Sequence, residues 1–147
     1  MDLLLDTNIL IDHFGNRNGF ADDAHKVFAF ALFGDATLWA MSSAFVNAFY
    51  ILRKGRSPED IQSAFQASYP YVKVCSAGAE DLANATSRQW RDLEDCLVAV
   101  CAEKLHADYI VTRDVKGFAR SSVPAISPTE LLERMRERGI TYDFFDL

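Results

Sequence analysis

The 147-residue sequence predicts an α/β protein: a three-layer α/β/α sandwich around a mostly parallel sheet of four to five strands. Three observations predict it. The short apolar runs Leu3-Leu4-Leu5 and Tyr109-Ile110-Val111 read as strands buried on both faces. Segments with apolar residues at helical spacing separate the strand candidates, so strands and helices alternate. In the stretch DLEDCLVAVCAEKLHADYIVTRD, Asp92 to Asp114, only Ala107 and Asp108 separate a helix from a strand. So short a link makes the helix run antiparallel to the strand, bringing the helix start to the strand's carboxyl end.

Taken in order, Leu3 to Leu5 stop at Asp6-Thr7-Asn8, which puts polar side chains at the carboxyl edge of a central strand. Thr7 can hydrogen-bond a carboxylate and Asn8 can fix a loop. Asp6 can equally cap a helical turn begun by Ile9-Leu10-Ile11. Asp12, His13 and residues 15–19 read as a loop, with His13 on the surface. Residues 22–33 form a helix on the spacing of Ala24, Val27, Phe28, Ala31 and Leu32, ended by Gly34-Asp35; its His25 has no metal partner at useful spacing. Residues 37–41 are the second strand. Ser42 or Ser43 caps the next helix, with Asn47 one turn inside it and Phe45, Phe49 and Tyr50 in excess of what one helix face needs.

Ser57-Pro58-Glu59-Asp60 opens a helix that ends near Tyr69-Pro70. Residues 71–75 alternate as a third strand, and 79–88 form a modest helix. The helix from Asp92 to about His106 carries Leu93, Leu97, Val100, Cys101 and Leu105 at helical spacing. Residues 123–126 are a short edge strand. Ser127-Pro128-Thr129-Glu130 is a capping box that starts a helix over 129–138, stopped by Gly139. Residues 140–147 are an acidic, aromatic tail. No repeat or linker divides the chain, so residues 1–147 read as a single domain.

Twenty-one acidic against 15 basic side chains give a net charge of −6, which argues against broad nonspecific binding to nucleic acid or anionic membrane. No apolar run is long enough to span a bilayer, and the first residues lack a signal peptide's basic flank. A cytoplasmic protein without membrane association is expected. Cys75, Cys96 and Cys101 lack metal-motif spacing and are odd in number, so they read as reduced core residues.

Ligands of open parallel sheets bind outside the strand carboxyl ends, at a switch in strand order. Asp6, Asn47, Asp92, Asp95 and Asp114 project there from four separate segments. Helical spacing puts Asp92 and Asp95 on one face and Glu94 on another. Acids at helix starts often do no more than favour the dipole, but convergence from separate segments favours a site. Clustered carboxylates need a cation, and an all-oxygen donor set suits Mg²⁺ or Mn²⁺. The chemistry that follows is metal-assisted hydrolysis of a phosphodiester. Arg113, Lys116 and Arg120 flank Asp114, either as phosphate contacts for RNA or as a solvated loop.

The segments LLLDTNILID, SSAFVNAFYILRK, DLEDCLVAVCAEKLHADYIVTRD and ISPTELL together resemble the PIN-domain family, specifically its toxin-type, VapC-like ribonucleases. The resemblance spans nearly the whole chain in the family's order. It implies that Asp6, Asp95 and Asp114 are the catalytic, metal-binding acids, with Thr7, Asn8 and Thr112 in support. It also implies a Mg²⁺- or Mn²⁺-dependent endoribonuclease, dimeric, paired with a small antitoxin that covers the site. One departure stands out: Asn47 occupies the place of the family's glutamate. It offers a neutral carbonyl but no charge. Asp92 is the candidate to compensate, and with Asn47 makes up the metal set. This departure motivates the alternative of a catalytically weak PIN domain that binds RNA or protein. A phosphoacceptor domain is disfavoured because Cys75-Ser76-Ala77 and Ile126-Ser127-Pro128 lack its acid and lysine; a haloacid-type phosphatase is disfavoured by Asn8.

Overall fold

The computed structural model describes residues 1–142. Five strands form one parallel sheet: β1 (Asp2–Leu5), β2 (Thr37–Met41), β3 (Val72–Cys75), β4 (Tyr109–Val111) and β5 (Ala125–Ile126), in the order β3-β2-β1-β4-β5. Leu5 lies level with Ala40 on one side and Val111 on the other. The central position of β1 explains its sequence. Leu3, Leu4 and Leu5 are covered on both faces and essentially inaccessible.

Among the described residues there are seven α-helices: α1 (Thr7–Phe14), α2 (Ala21–Leu32), α3 (Ser42–Leu52), α4 (Pro58–Ser68), α5 (Ala79–Ser87), α6 (Leu93–Lys104) and α7 (Pro128–Glu137). From β1 the chain steps outward to β2 and then β3. It must return across the sheet to reach β4. Right-handed crossovers therefore put α1 to α4 on one face and α5 and α6 on the other. The packing agrees: α1 meets α2 and α3, α3 meets α4, and α2 meets α7, while α5 packs on α6 and α6 on β4. The order of strands reverses between β1 and β4, which is the switch point that the sequence led us to expect.

Local chemistry sets the helix starts. Asp6, Ser57, Asp92 and Ser127 each accept a backbone N–H in the first turn of the helix that follows. Ser42 and Ser43 are exceptions: α3 begins at Ser42 itself, and Met41 precedes it with no side-chain cap. His106, in the left-handed region at φ 53°, makes the tight reversal from α6 into β4. Gly139, at φ 79°, stops α7 as expected.

The expected loop at Asp12 and His13 is helix instead. Ile9, Leu10, Ile11 and Phe14 are all buried, so the apolar content of α1 outweighs the polar residues at positions 12 and 13. His13 is not a surface residue either. Its ring stacks on Phe28 at 3.7 Å, its Nδ1 lies 2.7 Å from Nδ1 of His25, and burial pushes its pKa down to about 3. The three cysteines are free and buried. Of the tail, Tyr142 is buried against Phe30 and Phe33 and hydrogen-bonds Asp35; residues 143–147 lie outside the described residues.

Gly15 ends α1 where α3 passes close. A β-carbon there would come within 2.6 Å of the Ile11 carbonyl oxygen and 2.8 Å of Leu52 Cδ2. Gly15→Ala should therefore wedge α1 from α3 and cost about 1–3 kcal/mol in urea denaturation. An unchanged midpoint would show that this contact relaxes freely.

Candidate active site at the carboxyl edge of the sheet

The site begins with Asp6, at the end of β1. Its carboxylate is 7% exposed and holds two strong hydrogen bonds, from the Thr7 backbone N–H at 2.8 Å and from Thr112 Oγ1 at 2.9 Å. Asn8 Nδ2 lies 3.4 Å from the same carboxylate. Capping and site membership are therefore not alternatives for Asp6. One oxygen starts α1, and the other faces β4. Thr112 Oγ1 also accepts from the Asp114 backbone N–H at 3.0 Å, which fixes the loop that carries Asp114. Asn8 completes the link by accepting from the Arg113 N–H at 3.3 Å.

Asp95 and Asp114 converge over Gly117, which lies in a single 3₁₀ turn, Val115–Phe118. A β-carbon on Gly117 would sit 2.6 Å from Asp114 Oδ2 and 2.9 Å from Asp95 Oδ2. Glycine leaves that space to the two carboxylates. The electrostatics report the same gathering. Burial, then Asp6, Asp92, Asp114 and Glu94 in that order, push the Asp95 carboxyl up to about 7. Burial raises Asp6 as well, against its hydrogen bonds and with help from Glu94 and Asp114.

Asp92 is the helix cap, accepting the Asp95 N–H at 3.0 Å, so it lies outside the helix whose face it was expected to share. Glu94 corrects the sequence reading more sharply. It does not point away: Oε1 accepts from Asn47 Nδ2 at 3.3 Å and faces Thr7 Oγ1 at 3.5 Å. Asn47 thus reaches the site but meets Glu94 rather than Asp6. The first turn of α6 faces α1 and α3 at once, so positions 94 and 95 both reach the edge. The signal available in the sequence was the acidic pair itself.

The flanking cations are partly engaged. Arg113 grips buried Asp12 at 2.6 and 3.3 Å and lies over the Phe20 ring. Arg120 donates to the carbonyls of Arg88 and Gln89. Lys116 is exposed beside Gly117. Asp12 was missed; its place four residues after Asn8 in an apolar stretch puts both on one helix face toward Arg113.

The donor set is all oxygen, and the Gly117 hollow lies between two of its carboxylates. Among the described residues, no three acidic, histidine or cysteine side chains close to ligating distance of one point as they stand. Mutual repulsion keeps such carboxylates apart, and a hard divalent cation is the species that removes it. The all-oxygen chemistry of the donor set is the kind that a hard divalent cation such as Mg²⁺ or Mn²⁺ takes.

A parallel α/β sandwich with acids gathered at its switch point defines a class of α/β proteins with a carboxylate-lined edge site. Within that class the family is clear. The sequence model of the PIN domain matches residues 2–116, and the chain belongs to the PIN-domain family. No curated protein sequence matches it. Among solved structures, the fold is similar to VapBC-1 from nontypeable Haemophilus influenzae (22% identity, TM-score 0.62, 88% of this chain and 99% of that one). It is similar to VapBC2 from Rickettsia felis, solved with a promoter DNA fragment (20%, 0.64, 86% and 98%). It is also similar to VapC20 from Mycobacterium tuberculosis, described as a toxin that cleaves the sarcin-ricin loop (12%, 0.60, 74% and 86%). At these identities the likeness shows a shared fold.

The raised Asp95 pKa has a direct consequence. The folded chain binds this proton more tightly than the unfolded chain, whose carboxyl keeps its ordinary value near 4. The contribution of Asp95 to stability without metal therefore falls as pH rises from about 4 through 7, while buried His13 acts in the opposite sense. Asp95→Asn should remove that fall. In EDTA at pH 8 it should be the more stable protein, by about 1–2 kcal/mol after allowing for solvent screening, with the gap closing toward pH 4. No gain at pH 8 would place Asp95 outside the cluster.

Proposed function

We propose that this PIN domain is a Mg²⁺- or Mn²⁺-dependent endoribonuclease of toxin type, held in check by a small antitoxin protein. The observation that carries the reading is the convergence of Asp95 and Asp114 on Gly117, with Asp6 fixed beside them through Thr112. The fold shared with VapC proteins supports it, as does the activity named for the Mycobacterium relative.

Asp6, Asp95 and Asp114 would hold the cation, and Glu94 supplies the acidic charge that Asn47 lacks. Bound there, a divalent ion lowers the pKa of a water and offsets charge on the phosphate. Thr112 keeps Asp6 aimed at the edge, and Asn8 ties the Arg113 loop to α1. Lys116 is placed to meet a phosphate, and Arg113 adds a fixed positive charge beside the acids. Asp6, the most buried of these three acids, is best suited to be a permanent ligand. Burial and the neighbouring acids raise the Asp95 carboxyl in the metal-free chain, and a bound cation would favour its ionised form.

The antitoxin follows from the relatives, whose structures include toxin–antitoxin complexes. A homodimer is part of the same reading. Phe45 is buried, but α3 leaves Val46, Tyr50 and Ile51 exposed, and a cleft of about 580 Å³ opens between α3 and α4. Such apolar surface is suited to a partner. No helix among the described residues is long and apolar enough to cross a membrane, and a cytoplasmic location fits the proposed RNA substrate.

Asn47 favours the second reading, a weakly catalytic binding module, because it brings no charge to the helix that faces the site. RNA cleavage by antitoxin-free protein, with and without EDTA, separates the two. Cleavage that stops with EDTA and is lost in Asp6→Asn, Asp95→Asn or Asp114→Asn sustains the nuclease. Gly117→Ala should also weaken Mn²⁺ binding in calorimetry, by driving the two carboxylates apart, while the melting temperature changes little. RNA binding without cleavage at any metal concentration would leave the binding module.

Asn47→Glu tests the local charge balance. It would set a second carboxylate about 3 Å from Glu94. The variant should be less stable than the parent in EDTA, by about 1–3 kcal/mol, and should bind Mn²⁺ more tightly. A lower melting temperature with unchanged Mn²⁺ affinity would show that position 47 lies outside the ion's reach.

A further inference from the structure

Against Arg113, the exposed ring of Phe20 has no role in the site described so far. It lies at the start of α2, is 45% exposed, and carries the Arg113 guanidinium 4.2 Å from its centroid. Both partners are held rigidly. Arg113 is clamped through Nε and an Nη to Asp12, whose side chain is 2% exposed. Phe20 sits on a turn pinned by four backbone bonds: Arg17 N–H to the Asp12 carbonyl, Phe20 and Ala21 N–H to the Arg17 carbonyl, and Ala24 N–H to the Phe20 carbonyl. The same turn exposes Arg17.

The arrangement is more than a shield for an ion pair. Asp12 is already buried, so the pair does not need a ring left nearly half in water. An exposed phenyl on a fixed backbone is preorganised, and binding on it forfeits little entropy. A cation against one face draws electron density from the ring, which favours an electron-rich base on the other. Position is the last element. Arg113 lies between Thr112, which bonds Asp6, and Asp114, and its N–H bonds Asn8. The platform is therefore attached to the acid site through its own backbone.

We propose that Phe20, backed by Arg113, is a stacking platform for one unpaired base of the RNA substrate. The proposal rests on the ribonuclease reading above. Aromatic stacking of this kind is indifferent to base identity but requires a base outside a duplex. Arg17 and Lys116 would flank the strand as phosphate contacts.

The test uses the full-length protein in EDTA at low salt, with short single-stranded RNAs carrying 2-aminopurine at successive positions. The parent protein should quench one position and bind the matching duplex more weakly. Phe20→Leu, which keeps an apolar side chain but loses the π face, should lose that quenching and bind about tenfold more weakly. Phe20→Trp should retain both. With an abasic site at the quenched position, parent and Phe20→Leu should bind alike. In Mg²⁺, the Phe20→Leu protein should cleave with raised KM and unchanged kcat. Circular dichroism melts confirm that each variant is folded; if Phe20→Leu is not, quenching by Phe20→Trp and the parent's own loss of affinity for the abasic RNA decide, and a parent that binds intact and abasic RNA equally overturns the platform. Equal affinity of parent and Phe20→Leu for intact RNA, or equal KM, would overturn the platform while leaving the nuclease standing. A parent protein that neither binds nor cleaves RNA would overturn both.

Discussion

One buried carboxylate holds the carboxyl edge of this sheet together. Asp6 closes β1, starts α1 through the Thr7 N–H, and accepts the Thr112 hydroxyl from the end of β4. The two strands meet at the switch point, where the chain leaves toward opposite faces. A buried carboxylate is costly unless its lone pairs are occupied. Here they are occupied by groups 1 and 106 residues away in sequence. Removing either bond frees α1 or the Asp114 loop, and each carries residues of the site. The stability of the edge and the geometry of the acids thus rest on the same hydrogen bonds.

Around that anchor the charges are arranged in two unequal groups. Asp12 is matched by Arg113 and belongs to the structure, since an unpaired charge so deep would be strongly destabilising. Among the described residues Asp95, Asp114 and Glu94 make no ion pair, and burial together with the neighbouring acids raises the Asp95 carboxyl. The contrast separates paired from unpaired acids, which burial alone does not. Asp6 and Asp12 are comparably buried, yet only Asp6 faces the uncompensated group. The net charge of −6 argues against broad nonspecific binding to a polyanion, so the RNA contact proposed above would be local.

Much of this was legible from residue order alone. Leu3 to Leu5 had to be central because nothing in them suits a wet face. A two-residue link had to fold α6 back along β4. From those constraints Asp6, Asp95 and Asp114 come to one edge, and the parallel sheet with helices on both faces follows. Caps at Ser57 and Ser127 were equally plain, because capping is a contact within three residues.

Contacts between elements were not legible. Glu94 meets Asn47 and Thr7 across 47 and 87 residues, and whether it faces them depends on how α6 is rotated about its axis. Helical periodicity gives angles between neighbours on one helix but no absolute orientation. Asp12 looked like a loop residue until Arg113 gave it a partner, and His13 looked exposed until α2 placed Phe28 and His25 against it. The pairing of Phe20 with Arg113 likewise joins a turn to a loop 93 residues on. The sequence by itself determined which strand is central and that α6 folds back along β4, because burial and short links act locally. Only the tertiary structure decided which charges are paired and which remain free for a ligand, because that is settled by packing between segments far apart in the chain.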